Sequence, residues 1–130
     1  MTKGRFFLRS SVLLYKAGEV MSLRSQILKG ILEGCILSII SRRPVYGYEL
    51  AETLKRYGLV VSEGSIYPAL MRLSKEGLIQ GTMRKSPSGP DRKYYTLTEK
   101  GKEALASFKR DWRDVMRSVE RLLQEEQHDE

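Results

Sequence analysis

Few side chains in this sequence have the chemistry for covalent catalysis or metal binding, and they lie far apart. The chain has one cysteine, Cys35, within the apolar residues 31–40, and one histidine, His128, near its acidic end. A zinc site or a Cys–His catalytic pair needs such groups close together, so neither is expected. A single thiol cannot form an internal disulfide, which favours a reducing compartment and predicts a cytoplasmic protein.

Other patterns that are typical of enzymes are also missing from the sequence. It has no glycine-rich loop that would cradle a phosphate and no paired carboxylates that would form an acid–base pocket. We therefore expect no catalysis, no metal and no cofactor. No segment approaches the roughly 20 apolar residues that span a bilayer, so membrane association is not expected either.

The side chains that do suggest a function are basic. The chain carries 23 Lys and Arg against 16 Asp and Glu, a formal net charge of +7. Residues 79–97 hold Arg84, Lys85, Arg92 and Lys93 against one acidic residue, whereas residues 98–130 are acidic overall. Such a cluster is typical of a surface that binds nucleic acid, because each neutralised phosphate releases counterions. The alternative is that these are ordinary solvated charges.

The elements that must position these cations begin with three predicted helices. Residues 22–41 place apolar side chains at helical spacing, and the later half is apolar nearly all round, so we expect it to be buried. Residues 46–57 predict a second, shorter helix. Residues 62–76 predict a third, with Ser62 as its N-cap and Gly77 at its end.

After Gly77 the pattern changes from the period of a helix to that of a strand. Residues 79–84 alternate between apolar and polar, and Tyr95 and Leu97 give a second strand a matching inward face. Residues 85–91, which contain two prolines and a glycine, predict the tip of a hairpin. Two such strands after a helix form a β-wing.

Residues 98–126 predict a long final helix with Thr98 as its N-cap. Apolar side chains recur there at spacings of three and four residues: Leu105, Phe108, Trp112, Val115, Val119 and Leu122. This repeat is typical of a helix that packs against another helix. The helix could lie on its own domain, but the preceding elements already share a core, so we expect it to pack against a second subunit.

The order of elements predicts a mainly α fold with a small β-hairpin, which is a winged helix-turn-helix followed by a dimerisation helix. A helix fits the major groove of B-DNA, and a basic hairpin reaches the adjacent backbone or minor groove. The candidate DNA contacts lie off the buried stripe of the third helix, at its N-terminus and on the wing: Glu63, Gly64, Ser65, Tyr67, Arg72, Lys75, Arg84, Lys85, Arg92 and Lys93. Tyr67 has a second interpretation, packing under the wing. Arg42 and Arg43 either favour the negative end of the first helix dipole or contact DNA.

Three segments of the chain resemble the PadR family of bacterial transcriptional regulators. They are YGYELAETL at 46–54, SEGSIYPALMRLSKEGLI at 62–79 and RKYYTLTEKGKEAL at 92–105. The second is the most specific, because a Tyr-Pro pair inside a recognition helix is unusual among winged helices. The resemblance covers about residues 27–123, and the single final helix is similar to that of the smaller subgroup of the family.

The resemblance implies a homodimer that represses promoters with inverted repeats and is released by small aromatic or hydrophobic molecules. It maps the recognition-helix serine and tyrosine of the family to Ser65 and Tyr67, and the basic wing residues to Arg92 and Lys93. The last helix would pack against the partner's first and last helices, which predicts this dimer interface: Ile27, Ile31, Leu105, Phe108, Trp112, Val115, Val119 and Leu122. Trp112 and Phe108 are also the candidate ligand-binding residues, with packing in the dimer core as the alternative for Trp112.

A different class of function, a winged-helix protein-interaction module without DNA binding, also fits the order of elements. Such a module more often exposes an apolar patch on the third helix, where this chain is polar. We divide the chain into an N-terminal extension (1–21), the winged helix-turn-helix (22–97), the dimerisation helix (98–126) and an acidic tail (127–130). The extension lacks a signal-peptide cleavage site. It is either an over-extended start, with Met21 as the natural first residue, or a basic arm.

Overall fold

The structure, a computed structural model, describes residues 13–16 and 19–128. Its elements in chain order are strands β1 (Leu13–Lys16) and β2 (Glu19–Ser22), helix α1 (Leu23–Ile40), strand β3 (Val45–Tyr46), helices α2 (Gly47–Arg56) and α3 (Glu63–Lys75), strands β4 (Ile79–Ser86) and β5 (Gly89–Leu97), and helix α4 (Glu99–His128). The predicted fold class, mainly α with a small β-hairpin in a winged helix-turn-helix with a long C-terminal helix, is confirmed.

The N-terminal extension contains a hairpin that the sequence pattern did not predict. Strands β1 and β2 pair in antiparallel fashion, with Leu13 opposite Ser22. Residues 1–12, 17, 18, 129 and 130 lie outside the described part of the chain, and so do the basic side chains on which the arm interpretation rests. The two interpretations of the extension therefore stay predictions.

One apolar core joins the elements from α1 to the start of α4. Ile36, Val45, Leu50 and Ile66 are at most 1% exposed, and each comes from a different element. Leu105 adds α4 to the same cluster. Because the buried residues of α3 lie in this core, the opposite face of that helix is fixed toward solvent.

The first three helices begin and end within one residue of the predicted positions. Gly58 and Gly77, which follow α2 and α3, have φ angles of 83° and 78°, the left-handed conformation that favours glycine after a helix. Thr98 caps α4, since its hydroxyl accepts a hydrogen bond of 3.0 Å from the amide of Gly101. Ser62 holds the N-cap position of α3, but its hydroxyl bonds the Ser65 hydroxyl at 3.0 Å rather than an amide.

The wing is the β4–β5 hairpin, and β3 adds a short third strand to its free edge. Within the described residues the order of this sheet is β3-β5-β4, with Tyr46 opposite Tyr94 and Arg84 opposite Arg92. Strand β3 was not predicted, because two residues are too few to show the two-residue period of a strand. Through β3, the segment that leads into α2 becomes part of the wing.

Candidate nucleic-acid interface

The outer face of α3 is available for contact along its whole length. The buried stripe of this helix consists of Ile66, Ala69, Leu70 and Leu73, each at most 1% exposed. With about 100° of rotation per residue, the face directly opposite this stripe carries Gly64, Pro68, Met71 and Lys75. Glu63, Ser65, Tyr67 and Arg72 flank it on either side. Every predicted contact on α3 is therefore exposed, as are all the others on the wing.

Met71 lies at the centre of this outer face, and the sequence interpretation missed it. Its side chain is 72% exposed, the largest value among the exposed large hydrophobic residues of the described chain. An apolar side chain on a recognition helix can contact the methyl group of thymine. Counting around the helix from the buried stripe would have found Met71, although methionine is by type a core residue.

The sequence left two interpretations of Tyr67 open, which are contact with DNA and packing under the wing. Its ring packs over Gly47, where a Cβ atom would lie 2.9 Å from a ring carbon. Burial, and after it the nearby Tyr67, raises the pKa of Tyr95 on β5. Tyr67 is nevertheless 52% exposed, which leaves its edge free for contact with DNA.

Arg72 differs from the other predicted cations because a carboxylate neutralises it. Its guanidinium forms an ion pair and a hydrogen bond with Glu33 of α1. Arg43 likewise forms an ion pair with Glu49, at 3.6 Å, and Arg42 donates a 3.0 Å hydrogen bond to the Tyr57 hydroxyl. Arg42 and Arg43 both follow the last residue of α1, so neither lies in its last turn.

The wing cations, which the sequence analysis treated as one group, lie on two faces of the sheet. Arg84 and Arg92 share one face, where their guanidinium carbons lie 4.8 and 4.5 Å from the ring centres of Tyr94 and Tyr46. Lys93 lies on the opposite face, with its aliphatic carbons about 3 Å from the point where Gly81 would carry a Cβ atom. Neighbouring residues on a strand point to opposite faces, and this separates Arg92 from Lys93.

A shallow cleft lies between the wing, on the side of Lys93, and helix α3. Met71, Lys75 and Tyr95 line the same cleft. Lys85 lies at the irregularity in register between Arg84 and Ser86, near the tip of the hairpin. The structure thus places positive charge beside the outer face of α3 and along both faces of the wing, an arrangement suited to a phosphate backbone.

Helix α4 has an inner and an outer section, which the predicted interface did not separate. Leu105 is 6% exposed in the core of its own chain, which leaves little of its side chain for the predicted dimer interface. Phe108 packs closely on Gly34 of α1 and is half-buried. Farther along, an apolar stripe stays exposed by 39–66%. It consists of Trp112, Val115, Met116, Val119, Leu122 and Leu123.

The exposed stripe of α4 begins beside a cavity and is accompanied by apolar residues on α1. The cavity has a volume of about 330 Å³ and is lined by residues that include Cys35, Leu54, Phe108 and Trp112. Burial raises the pKa of the Cys35 thiol, which keeps it protonated and unreactive at neutral pH. Ile27 on α1 is 56% exposed, and Ile31 is partly exposed at the cavity itself.

Within residues 13–16 and 19–128, no group of three or more His, Cys, Asp or Glu side chains is arranged to hold a metal ion. Across that same part of the chain, each helix is too short or too polar to cross a membrane.

Comparison with known proteins gives a consistent family. Residues 36–107 match the family described as transcriptional regulator PadR-like. A transcriptional regulator of Mycobacterium tuberculosis is 34% identical over 84 residues, which are 65% of this chain and 78% of that protein. A PadR-like transcriptional regulator of Bacillus cereus is 57% identical and has a TM-score of 0.70, with 77% of this chain and 98% of that chain covered.

A further similar structure was determined with nucleic acid. Bacillus subtilis PadR in complex with operator DNA is 27% identical to this chain and superposes with a TM-score of 0.56. The superposition covers 60% of this chain and 45% of that one.

Proposed function

This chain belongs to the PadR-like family of transcriptional regulators, and from that premise we propose that it is a homodimeric repressor of a pseudo-palindromic promoter site. Membership of the family makes it a DNA-binding regulator of transcription and not an enzyme. The finer parts of the proposal concern which residues contact DNA, how two subunits associate and what releases them.

The observation that carries the proposal is the exposed outer face of α3 beside a wing whose four cations are all exposed. We assign base-edge contacts to Ser65 and Met71 and backbone contacts to Lys75 and Tyr67. The wing cations, Arg84, Lys85, Arg92 and Lys93, would contact phosphates on the adjacent backbone. The similar Bacillus subtilis PadR was solved in complex with operator DNA, which supports the same use of this fold here.

The proposed dimer is supported by the exposed stripe of α4. Six large apolar side chains, each at least 39% exposed, follow one face of this helix and would be unfavourable in water without a covering surface. Exposed Ile27 of α1 is accessible to the same partner helix. Two subunits related by a two-fold axis would present two α3 helices to successive major grooves, about 34 Å apart, and this geometry requires a pseudo-palindromic site.

A small aromatic or hydrophobic effector is supported by the cavity between α1, α2 and α4. Its volume of about 330 Å³ falls within the range of roughly 300–1,000 Å³ that is usual for ligand sites. Phe108 and Trp112 offer ring faces there, and Leu54 connects the cavity to α2, which packs against α3. Occupation of the cavity would therefore act on the position of the recognition helix.

A mobility-shift assay tests the proposal with the duplex that lies upstream of the gene. We expect a retarded complex with dimer stoichiometry at low salt, and we expect an excess of that same duplex to compete better than duplex of unrelated sequence. Absence of any complex at low salt, where electrostatic attraction is strongest, would contradict DNA binding and favour a protein-interaction module.

Trp112 is the single tryptophan of the chain, so its fluorescence reports binding of planar aromatic compounds. No change with any compound would contradict the effector part alone.

A further inference from the structure

The outward face of the wing carries a ladder of tyrosine and arginine side chains. Tyr46 and Tyr94 face each other edge to face, with 5.4 Å between their ring centres. Arg92 lies over the ring of Tyr46 at 4.5 Å, and Arg84 over the ring of Tyr94 at 4.8 Å. All four are placed together by strand alternation, because Tyr46 pairs with Tyr94 and Arg84 pairs with Arg92 on the same side of the sheet.

These two arginines are held differently from other arginines of the chain. Arg43 and Arg72 form ion pairs with glutamates, which cancel their charge. Over the described residues, neither Arg84 nor Arg92 has a carboxylate within ion-pair distance or a hydrogen-bond acceptor for its guanidinium. An aromatic face attracts a cation electrostatically and leaves the full positive charge in place.

A guanidinium stacked on a ring also keeps its N–H donors free. The ring attracts the guanidinium through its face and accepts no conventional hydrogen bond from it, so the N–H donors stay available to a phosphate. Stacking limits the rotamers that the long side chain must give up when it binds, and this lowers the entropic cost of the contact. Tyr46 belongs to the family-like segment at the start of α2, yet its ring serves the wing.

We propose that Tyr46 and Tyr94 are positioning residues for DNA binding, which hold Arg92 and Arg84 in an extended, fully charged state that is ready to contact backbone phosphates. The inference rests on the proposed function, since it assigns a role to side chains that act through the wing arginines. It assigns the two aromatic residues a role that is exerted through the arginines.

The test measures duplex affinity across a series of salt concentrations for Tyr46→Phe, Tyr46→Leu and Arg92→Ala, and for the double variant that combines Tyr46→Leu with Arg92→Ala. Phenylalanine keeps the aromatic face, so Tyr46→Phe should bind like the parent protein. Tyr46→Leu should weaken binding about two- to fivefold, the range of an exposed cation–π interaction, without changing the salt slope. In the Arg92→Ala background, Tyr46→Leu should have no further effect, because the group that it positions is gone.

Tyr57→Leu provides a matched control. The Arg42 guanidinium carbon also lies over a ring, 5.7 Å from the ring centre of Tyr57, but this pair is at the other end of α2 and away from the wing. The effect of Tyr57→Leu on duplex affinity should be the same in the parent protein and in the Arg92→Ala background, because Tyr57 does not act through Arg92. In nuclear magnetic resonance spectra, ring currents should shift the Arg92 side-chain protons upfield in the parent protein and in Tyr46→Phe, but not in Tyr46→Leu.

Several outcomes would overturn the proposal. Equal affinity of Tyr46→Leu and the parent protein would show that the ring does not position Arg92. An equal loss from Tyr46→Leu in both backgrounds would show a general structural effect, since damage to the fold does not depend on Arg92. If Arg92→Ala weakens binding while Tyr46→Leu does not, the positioning role fails and the DNA-binding function stands. If the parent protein binds no duplex at all, the proposed function fails first and takes this inference with it.

Discussion

Arginine side chains on this surface fall into two groups that differ in what neutralises them. Arg72 is paired with Glu33, whereas Arg92 rests on the ring of Tyr46 with no carboxylate partner among the described residues. Their positions in the sequence do not separate them, since both were predicted as DNA contacts. The difference appears only once α1 is packed beside α3.

This difference predicts unequal effects on the salt dependence of binding. Arg92→Ala should lower the slope of log affinity against log salt by about one, because it removes one phosphate contact. Arg72→Ala should change the slope little, because the charge of Arg72 is already cancelled by Glu33. Fluorescence anisotropy over a salt series measures both variants on the same duplex. Equal slopes for Arg92→Ala and the parent protein would contradict the assignment of phosphate contacts to the wing cations.

Met71 predicts a change in specificity without a change in electrostatics. Met71→Ala removes an apolar side chain from the centre of the outer face of α3 and leaves every charge in place. We expect the discrimination between bases to fall by about 5- to 150-fold at one or two positions of the site, in keeping with roughly 1–3 kcal/mol for a base contact, with the salt slope unchanged. Binding to a set of single-base variants of the site measures this. A uniform loss across all sites would contradict a base contact by Met71.

At the scale of elements, the crossing of α1 and α4 depends on one glycine. The Phe108 ring fills the position that a Cβ atom of Gly34 would occupy. Gly34→Ala should therefore destabilise the fold by about 1–3 kcal/mol, the usual cost of overpacking. Gly30 lies one turn earlier on the same helix with open space around it, so Gly30→Ala should stabilise the helix by about 0.5–1 kcal/mol. Urea denaturation compares the two, and stabilisation by both variants would contradict the close crossing.

The elements themselves were largely predictable from the sequence. Helical spacing, helix-terminal residues and the change to a two-residue period predicted four helices and a hairpin, because each signal is local. Strand β3 was missed because its two residues pair with a strand almost fifty positions away, and no local period marks such a pairing. The hairpin of β1 and β2 was missed for a related reason, since charged residues interrupt its apolar pattern.

The candidate site was predictable by residue but not by arrangement. All ten predicted DNA contacts are exposed, because polar and charged residues off a buried stripe face solvent. The pairing of Arg72 with Glu33, the stacking of Arg92 on Tyr46 and the burial of Leu105 within its own chain follow from tertiary packing. A heptad repeat shows which face of α4 is apolar, but it does not show where the chain's own core ends and a partner's surface begins.

At the scale of the whole molecule, the two ends of α4 have different tasks. Its first turns join the core through Leu105, and its later turns expose an apolar stripe that includes Val119 and Leu122. A helix that covered only its own domain would bury its apolar face along its whole length. The exposed section is what the proposed second subunit would cover.

Substitution of the stripe should separate folding from association. The double change Val119→Glu and Leu122→Glu places two charges at positions that are 45% and 66% exposed, so the single chain should still fold. We expect it to sediment as a monomer and to lose at least about tenfold in affinity for a two-part site, because the gain from joining two binding modules is lost. Arg117→Glu, on the opposite face of α4, makes the same net change of charge and should remain dimeric. A dimer in both variants would contradict this interface.

Hydroxyl-radical footprinting of the upstream duplex tests the central claim, a dimer that contacts two half-sites of the DNA, most directly. We expect two protected patches of equal extent, related by a pseudo-two-fold axis and centred about one helical turn, or roughly 34 Å, apart. Protection should lie on the backbone that flanks each major-groove contact, where the wing cations reach. A single protected patch at saturating protein, or no protection at low salt, would contradict a dimer that contacts two half-sites.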